Sequence, residues 1–272
     1  MKLDAKVGDV RLASAKIHLL RIPLRRPFVI SLGTQPEYNG TIVELESDEH
    51  TGYGEGSTIS QITGESPEGV AATARYLLNA QAGRSFSGLE DFSASVSAAI
   101  QANPTAKSAI DIAAHDLLGK SWGLHVVQML GGGFLDLPTS LTISLGSVED
   151  SLRQLTELQA EKCQIIKVKV GGNVEEDIRR VRAITEHLAT ERFYADANQG
   201  YSLRDALRLS AVLHECGAMF FEQPLDRHAL DDLRALRKES GVPVMLDESI
   251  FSPGDVIDAV RREAADSVSV RL

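Results

Sequence analysis

Cysteine is scarce: the 272 residues hold two, Cys163 and Cys216. Neither belongs to a CxxC pair or a Cys/His cluster, which argues against a zinc site and a disulfide framework and for buried thiols in a reducing cytosol. Positive charge is also short. Lysine and arginine number 28 against 38 acidic residues, a formal net charge of -10 with a pI near 5.2, so neither nucleic acid nor an anionic membrane surface is expected as a partner. The acidity is dispersed rather than gathered in a tail. No apolar run approaches the ~20 residues of a membrane span. The opening MKLDAKVGDVRLASAKIHLLRIPL is broken by charge throughout, so no secretory leader is expected. A cytoplasmic protein follows, long enough to build its cores without disulfides.

Texture changes along the chain. Between residues 15 and 60, AKIHLLRIPL, RRPFVIS and TIVELES alternate like strands and predict an antiparallel meander of about three. Helical periods follow. SPEGVAATARYLLNA offers Ser66 as N-cap and Pro67 at the first helical position. AKSAIDIAAHDLLGKSWG predicts a helix from about Pro104 to Trp122, with Ala109, Ile112, Ala113 and Leu117 on one face and Gly123 closing it. Residues 1–137 thus read as a small α+β unit, ended by the turn-rich LGGGFLDLP.

From residue 138 to 272 strands and helices alternate: LTISLG, helix 147–162, IIKVKVG, helix 174–188, RFYADAN, helix 202–215, MFFEQPL, helix 227–239, PVMLDES, helix 253–263, SVSVRL. This βα order implies a parallel sheet with right-handed crossovers. A barrel and a doubly wound open sheet both satisfy it, but polar residues ending several strands in turn fit a barrel better than a single crevice. A closed barrel takes about eight strands, so strands one to six are expected here and either a longer chain or completion by other means.

The polar residues that end those strands carry the chemistry. Lys169 to Asp196, Asp196 to Glu222 and Glu222 to Asp247 are steps of 27, 26 and 25 residues, about one strand plus one helix with their loops. Three carboxylates delivered to one end of a barrel repel one another unless a divalent cation holds them, and hard oxygen ligands suit Mg²⁺. Lys167 and Lys169, two apart on a strand, project from one face, where each is expected to lower the other's pKa and free a neutral lysine to act as a base. Asn198, Gln223 and Glu248 follow the acids as supporting polar groups. Taken one at a time, these lysines also read as surface residues and the acids as helix N-caps; the repeated step favours a metal-dependent enzyme.

The string KVKVGG, DANQGY, EQPL, DES resembles the enolase superfamily in its muconate lactonising subgroup, and RIPLRRPF, YGEGSTI, ITGESPEGV and AKSAIDIAAHDLLGKSWGL resemble its N-terminal capping domain. The resemblance covers nearly the whole chain. It implies an α/β protein: an N-terminal α+β capping domain followed by a partial enolase-type (β/α) barrel. It implies Asp196, Glu222 and Asp247 as ligands of Mg²⁺, with Mn²⁺ as an alternative ion. It implies Lys169 as the acid/base acting on the proton alpha to a carboxylate and Lys167 as an enolate stabiliser. Loops around PFVISLGTQPEY and STISQITGES would close over a small carboxylate substrate. Arg25 and Arg26 are candidates for a distal substrate carboxylate, with Thr142, Asn198 and Glu248 as further substrate-side residues, and symmetric oligomers are common in the family.

One position departs from the pattern. Arg271, a further step of 24 residues, stands in SVRL where many relatives carry a second catalytic lysine in a motif like NIKL. A guanidinium is a poor proton shuttle and a good anion partner, which weighs against two-base racemisation and for chemistry on one face. The leading reading is a racemase or epimerase of dipeptides or N-acyl amino acids. A muconate-type cycloisomerase, a lyase of the dehydratase or o-succinylbenzoate synthase type, and a non-catalytic truncated relative are the alternatives.

Overall fold

A computed structural model describes residues 1–270 and divides them into two compact units. One comprises Met1–Arg25 and Pro36–Leu135; the other comprises Arg26–Gln35 and the chain from Asp136 onward.

The first unit is built on strands β1 (Lys2–Val7), β2 (Val10–Ile30), β3 (Gly33–Glu46), β4 (Thr51–Ser57) and β5 (Ser85–Phe86), in the order β4-β3-β2-β1-β5. The expected three-strand meander is an under-reading. In β1 the sequence KLDAKV buries Leu3, Ala5 and Val7 and turns its charges outward. AKIHLLRIPL and RRPFVIS, expected as separate strands, fall in the single strand β2, which also holds Pro23 and Pro27. Helices α1 (Ser60–Thr63), α2 (Pro67–Gln81), α3 (Leu89–Ala98), α4 (Pro104–Trp122) and α5 (Val126–Met129) belong to the same unit. Ser66 caps α2 as expected, its hydroxyl accepting from the Gly69 amide, and Gly123 ends α4 at φ +65°.

The buried face of α4 includes Ala109, Ala113 and Leu117 as expected, but Ile110 is buried with them while Ile112 is only half-buried. Alternate glycines explain how closely this helix lies on β4. A Cβ at Gly52 or Gly54 would strike the carbonyl oxygen of Ala113 or Ala109, so the strand meets the helix backbone to backbone. Replacing Gly54 by alanine is expected to overpack this contact and to lower stability by about 1–3 kcal/mol, read as a lower denaturant midpoint.

In the second unit strand and helix alternate: β6 (Ser140–Ile143), α6 (Val148–Ala160), β7 (Ile165–Lys169), α7 (Val174–Glu186), β8 (Arg192–Asp196), α8 (Leu203–Glu215), β9 (Phe221–Glu222), α9 (Leu230–Glu239), β10 (Val244–Leu246), α10 (Pro253–Arg261) and β11 (Ser267–Val268). Every pairing is parallel and the spatial order, β11-β10-β9-β8-β7-β6, follows the chain without reversal. A doubly wound sheet reverses its strand order at a switch point, so the unreversed order is that of a barrel wall. Ser147, Asn173, Ser202 and Ser252 cap α6, α7, α8 and α10 through side-chain oxygens, and each of these helices has acids in its first turn. Val168 and Val170 pack with Val181, Ile184, Leu209 and Leu213 in the core, leaving Lys167 and Lys169 on the opposite face of β7. No helix among the described residues is long and apolar enough to cross a membrane.

Candidate active site

Strand register assembles the site. Lys169 of β7 is level with Asp196 of β8, which is level with Glu222 of β9, while Thr142 of β6 is level with Lys167. Asp247 follows the end of β10 and Glu248 comes next. All four acids are buried, between 0% and 3% exposed.

The two lysines are held differently. Lys167 bridges Asp196 at 2.7 Å and Glu222 at 2.8 Å, with its Nζ 5.5 Å from the Tyr194 ring centre. Lys169 donates to Asp196 Oδ2 at 2.6 Å and to Asn198 Oδ1 at 2.7 Å, and its Nζ lies 5.7 Å from the Phe28 ring centre. The Asn198 amide nitrogen passes the chain on to Glu248 Oε1 at 2.8 Å, and Glu248 Oε2 is buried without a hydrogen-bond partner among the described residues. Gln223 fastens the end of the next strand, β10, its Oε1 accepting from the amides of Asp247 and Ser249 at 2.9 and 3.1 Å. Asn198, Gln199 and Gln223 take positive φ values of 41°, 70° and 35°. Such backbone costs on the order of 1–3 kcal/mol per residue and persists where surrounding bonds over-determine it.

Electrostatics correct one expectation. Burial lowers the pKa of Lys169, and the charge of Lys167 adds to it, as anticipated. Lys167 goes the other way: burial opposes its charge, but Asp196 and Glu222 outweigh burial and raise its pKa. It therefore stays an ammonium. Asp196 remains ionised below the usual carboxylate range, because the two lysines overcome its burial. Burial, reinforced by Asp196, pushes Glu222 up to about 7, and burial also raises Glu248.

The expected convergence of three carboxylates on one point is also modified. Among the described residues no three acids are gathered as a ready metal cage, since Asp196 and Glu222 relieve their mutual repulsion on the ammonium of Lys167. Asp196 is shared by both ammonium groups, and Glu222 pairs with Lys167.

A pH dependence follows for the protein free of divalent ions. Glu222 holds its proton in the fold up to about pH 7, whereas an unfolded glutamate releases it near 4.5. The native state therefore binds more protons in that window, and stability falls as pH rises from about 4.5 to 7. Thermal melts in EDTA at pH 5 and pH 7.5 are expected to show the lower midpoint at pH 7.5.

Of the remaining sequence candidates, Thr142 is half-buried beside Lys167. Arg26 is exposed and paired with Glu157 of α6, and Arg25 is exposed on the first unit. Arg271 lies outside the described residues. Sequence reading took Phe28 and Ser31 only as part of the segment PFVISLGTQPEY, without their contacts: the Ser31 hydroxyl donates to the Asn198 carbonyl at 2.6 Å. It missed the buried Asp177, Arg180 and Tyr201. The Asp177–Arg180 pair had a signal: both charges fall on the helical stripe that continues to Val181 and Ile184, where an unpaired charge is not tolerated.

Two family patterns match the chain, "Mandelate racemase / muconate lactonizing enzyme, N-terminal domain" over residues 13–131 and "Enolase C-terminal domain-like" over residues 150–272. The N-succinyl-L-Arg/Lys racemase of Bacillus cereus is 31% identical over 270 residues, covering 97% of this chain and 73% of that protein. The chain belongs to the enolase superfamily, in its muconate lactonising subgroup. The crystal structure of a dipeptide epimerase from Cytophaga hutchinsonii, complexed with Mg and the dipeptide D-Ala-L-Val, has a TM-score of 0.88 at 31% identity, covering 93% of this chain and 70% of that one. A muconate lactonizing enzyme from Pseudomonas fluorescens, complexed with muconolactone, has a TM-score of 0.89 at 28% identity, covering 94% of this chain and 71% of that one. These enolase-superfamily relatives are isomerases, and the capping-domain and barrel-domain fold expected from the sequence is the fold of the family.

Proposed function

We propose that the protein is a Mg²⁺-dependent racemase or epimerase that moves the proton alpha to the carboxylate of a dipeptide or an N-acyl amino acid. The observation that carries this reading is Lys169, buried with a lowered pKa and aimed by Asp196 and Asn198 among the acids of the next three strand ends. The names of the relatives give the substrate class.

Mg²⁺ suits the residues present. The donors are hard, buried carboxylate oxygens, and among the described residues one neighbouring buried oxygen, Glu248 Oε2, has no hydrogen-bond partner. Asp196, Glu222 and Asp247 would hold the ion, with Mn²⁺ as a substitute. Bound there, it supplies electrostatic stabilisation to negative charge developing on the substrate carboxylate. Lys169, in its neutral form, takes the alpha proton at Nζ; inversion is completed when a proton reaches the opposite face of the enolate from a donor other than Lys169. Lys167, kept charged by Asp196 and Glu222, supports the enolate. Asn198 orients Lys169 against Glu248. Arg271 is proposed as a charged partner for the substrate anion rather than as a second base, within a small-carboxylate chemistry suited to the cytosol.

Incubation with Mg²⁺ and a panel of L,L-dipeptides and N-succinyl amino acids, followed by chiral chromatography and mass spectrometry, tests the proposal. Inversion at unchanged mass is the expected result. A product lighter by one water would indicate a lyase instead. Muconate turned to muconolactone, with no inversion of any peptide, would favour the second reading, a cycloisomerase, to which the Pseudomonas fluorescens likeness points.

A further inference from the structure

Beneath the end of β7 lies a buried polar cluster that the reaction as described does not use. The Arg180 guanidinium, 1% exposed, donates Nη1 to the carbonyl oxygen of Lys169 and to Asp177 Oδ1, both at 2.9 Å. Its Nη2 donates to the carbonyl of Ser144 at 2.9 Å and its Nε to Ser151 Oγ at 3.0 Å. One side chain therefore binds the backbone just past β6, the last residue of β7 and helix α6. The other oxygen of Asp177 accepts from the amides of Gly171 and Gly172, at 3.1 and 3.0 Å, and from the Tyr201 hydroxyl at 2.5 Å. Gly171 takes φ +107°, and a Cβ there would strike the carbonyl of Ala197, so the loop after Lys169 lies directly on the loop after Asp196.

Stability alone does not account for this cluster. A buried ion pair is often no more stabilising than apolar residues of the same volume, because desolvation of both charges offsets their attraction. What the cluster does supply is position. The carbonyl of Lys169 and both amides of the following glycines are bound, so the backbone on either side of Val170 is fixed from α7. A proton-transferring group has to be held within roughly 0.5 Å of its working place.

We propose that Arg180, Asp177 and Tyr201 are positioning residues that set the backbone at Lys169, and through it the place of the Lys169 ammonium against Asp196 and Asn198. The inference rests on the reading of Lys169 as the base. Its geometric content is independent of that reading: loosening the clamp moves Lys169 Nζ while leaving the acids of β8, β9 and β10 in place.

Arg180→Lys keeps the charge but cannot reproduce four directed hydrogen bonds, and Tyr201→Phe removes one donor to Asp177 and one acceptor of the Gly171 amide. Crystal structures of both variants are compared with that of the unsubstituted protein, alongside kcat, KM and Mg²⁺ affinity. The expected result is a displaced Lys169 Nζ in Arg180→Lys and a kcat lower by up to about 100-fold, with KM and Mg²⁺ affinity within threefold. Tyr201→Phe should show the same split in smaller measure, and it keeps the test open should Arg180→Lys fail to fold. Lys169 Nζ unmoved in the folded variants, or kcat per folded molecule unchanged with only a lower melting temperature, would overturn the clamp. Should the unsubstituted protein invert no substrate, the proposed function fails by itself, and the position of Lys169 Nζ still decides the clamp.

Discussion

Lys169→Ala is expected to lower kcat by about 10²–10⁴-fold, the contribution of a positioned general base, with KM and Mg²⁺ affinity little changed. The side chain is buried and makes two short polar contacts, to Asp196 and Asn198. Its removal leaves Asp196 with Lys167 at 2.7 Å and with the Asn198 amide at 2.9 Å, so the fold keeps its partners for the carboxylate. Arginine separates the roles of the two lysines. A base must lose its proton, and a guanidinium with a pKa above 12 cannot, so Lys169→Arg is expected to be as inactive as Lys169→Ala. Lys167 is held charged, and a charge is what its role requires. Lys167→Arg should therefore retain more activity than Lys167→Ala. Steady-state kinetics of the four variants read this directly; equal activity in Lys169→Arg and Lys167→Arg would exchange or erase the assignments.

Asp196→Asn is expected to strike stability and metal binding together. Asp196 is fully buried and serves both ammonium groups through Oδ2 while Oδ1 accepts from the Asn198 amide. An amide has the same shape but no charge, and breaking a buried ion pair at one partner typically costs about 3–5 kcal/mol. Lys167 keeps Glu222 and Lys169 keeps Asn198 as partners, which offsets part of that cost, so the lower end, about 3 kcal/mol, is expected. Denaturant unfolding in EDTA measures this loss. Mg²⁺ titration calorimetry should show affinity reduced well beyond tenfold, since a ligand is lost outright rather than a supporting hydrogen bond.

Much of the barrel unit was legible because its physics is local. Period-3.6 stripes, serine and asparagine caps and short apolar strands mark each βα turn, and the constant step between strand-end acids carries the register that aligns Lys169, Asp196 and Glu222. The first unit was harder. In β1 alternate charges masked the burial of Leu3, Ala5 and Val7, and AKIHLLRIPL and RRPFVIS, read as two strands, are continuous in space. Ile110 rather than Ile112 joins the fully buried set of α4, because that helix packs against β4 and also against other helices, a tertiary fact that a single stripe does not carry.

Within the site, residue identity came through and electrostatics did not. A lysine pair reads as two mutually lowered pKa values, yet Lys167 is raised, since it bridges two carboxylates and Lys169 touches one. Partners of that kind depend on side-chain rotamers across strands. Asp177 and Arg180 stayed hidden for a related reason: in a helix as charged as VEEDIRRVRAITE, the two inward charges are set apart only by which way they face.

Loss of the substrate α-proton in D₂O, followed by NMR, tests the central claim most directly. With Mg²⁺ and an accepted dipeptide or N-succinyl amino acid, the account predicts that the α-proton resonance disappears and the recovered substrate gains one mass unit of deuterium. It predicts that EDTA or Lys169→Ala stops this. Exchange that continues undiminished under either condition would contradict the account.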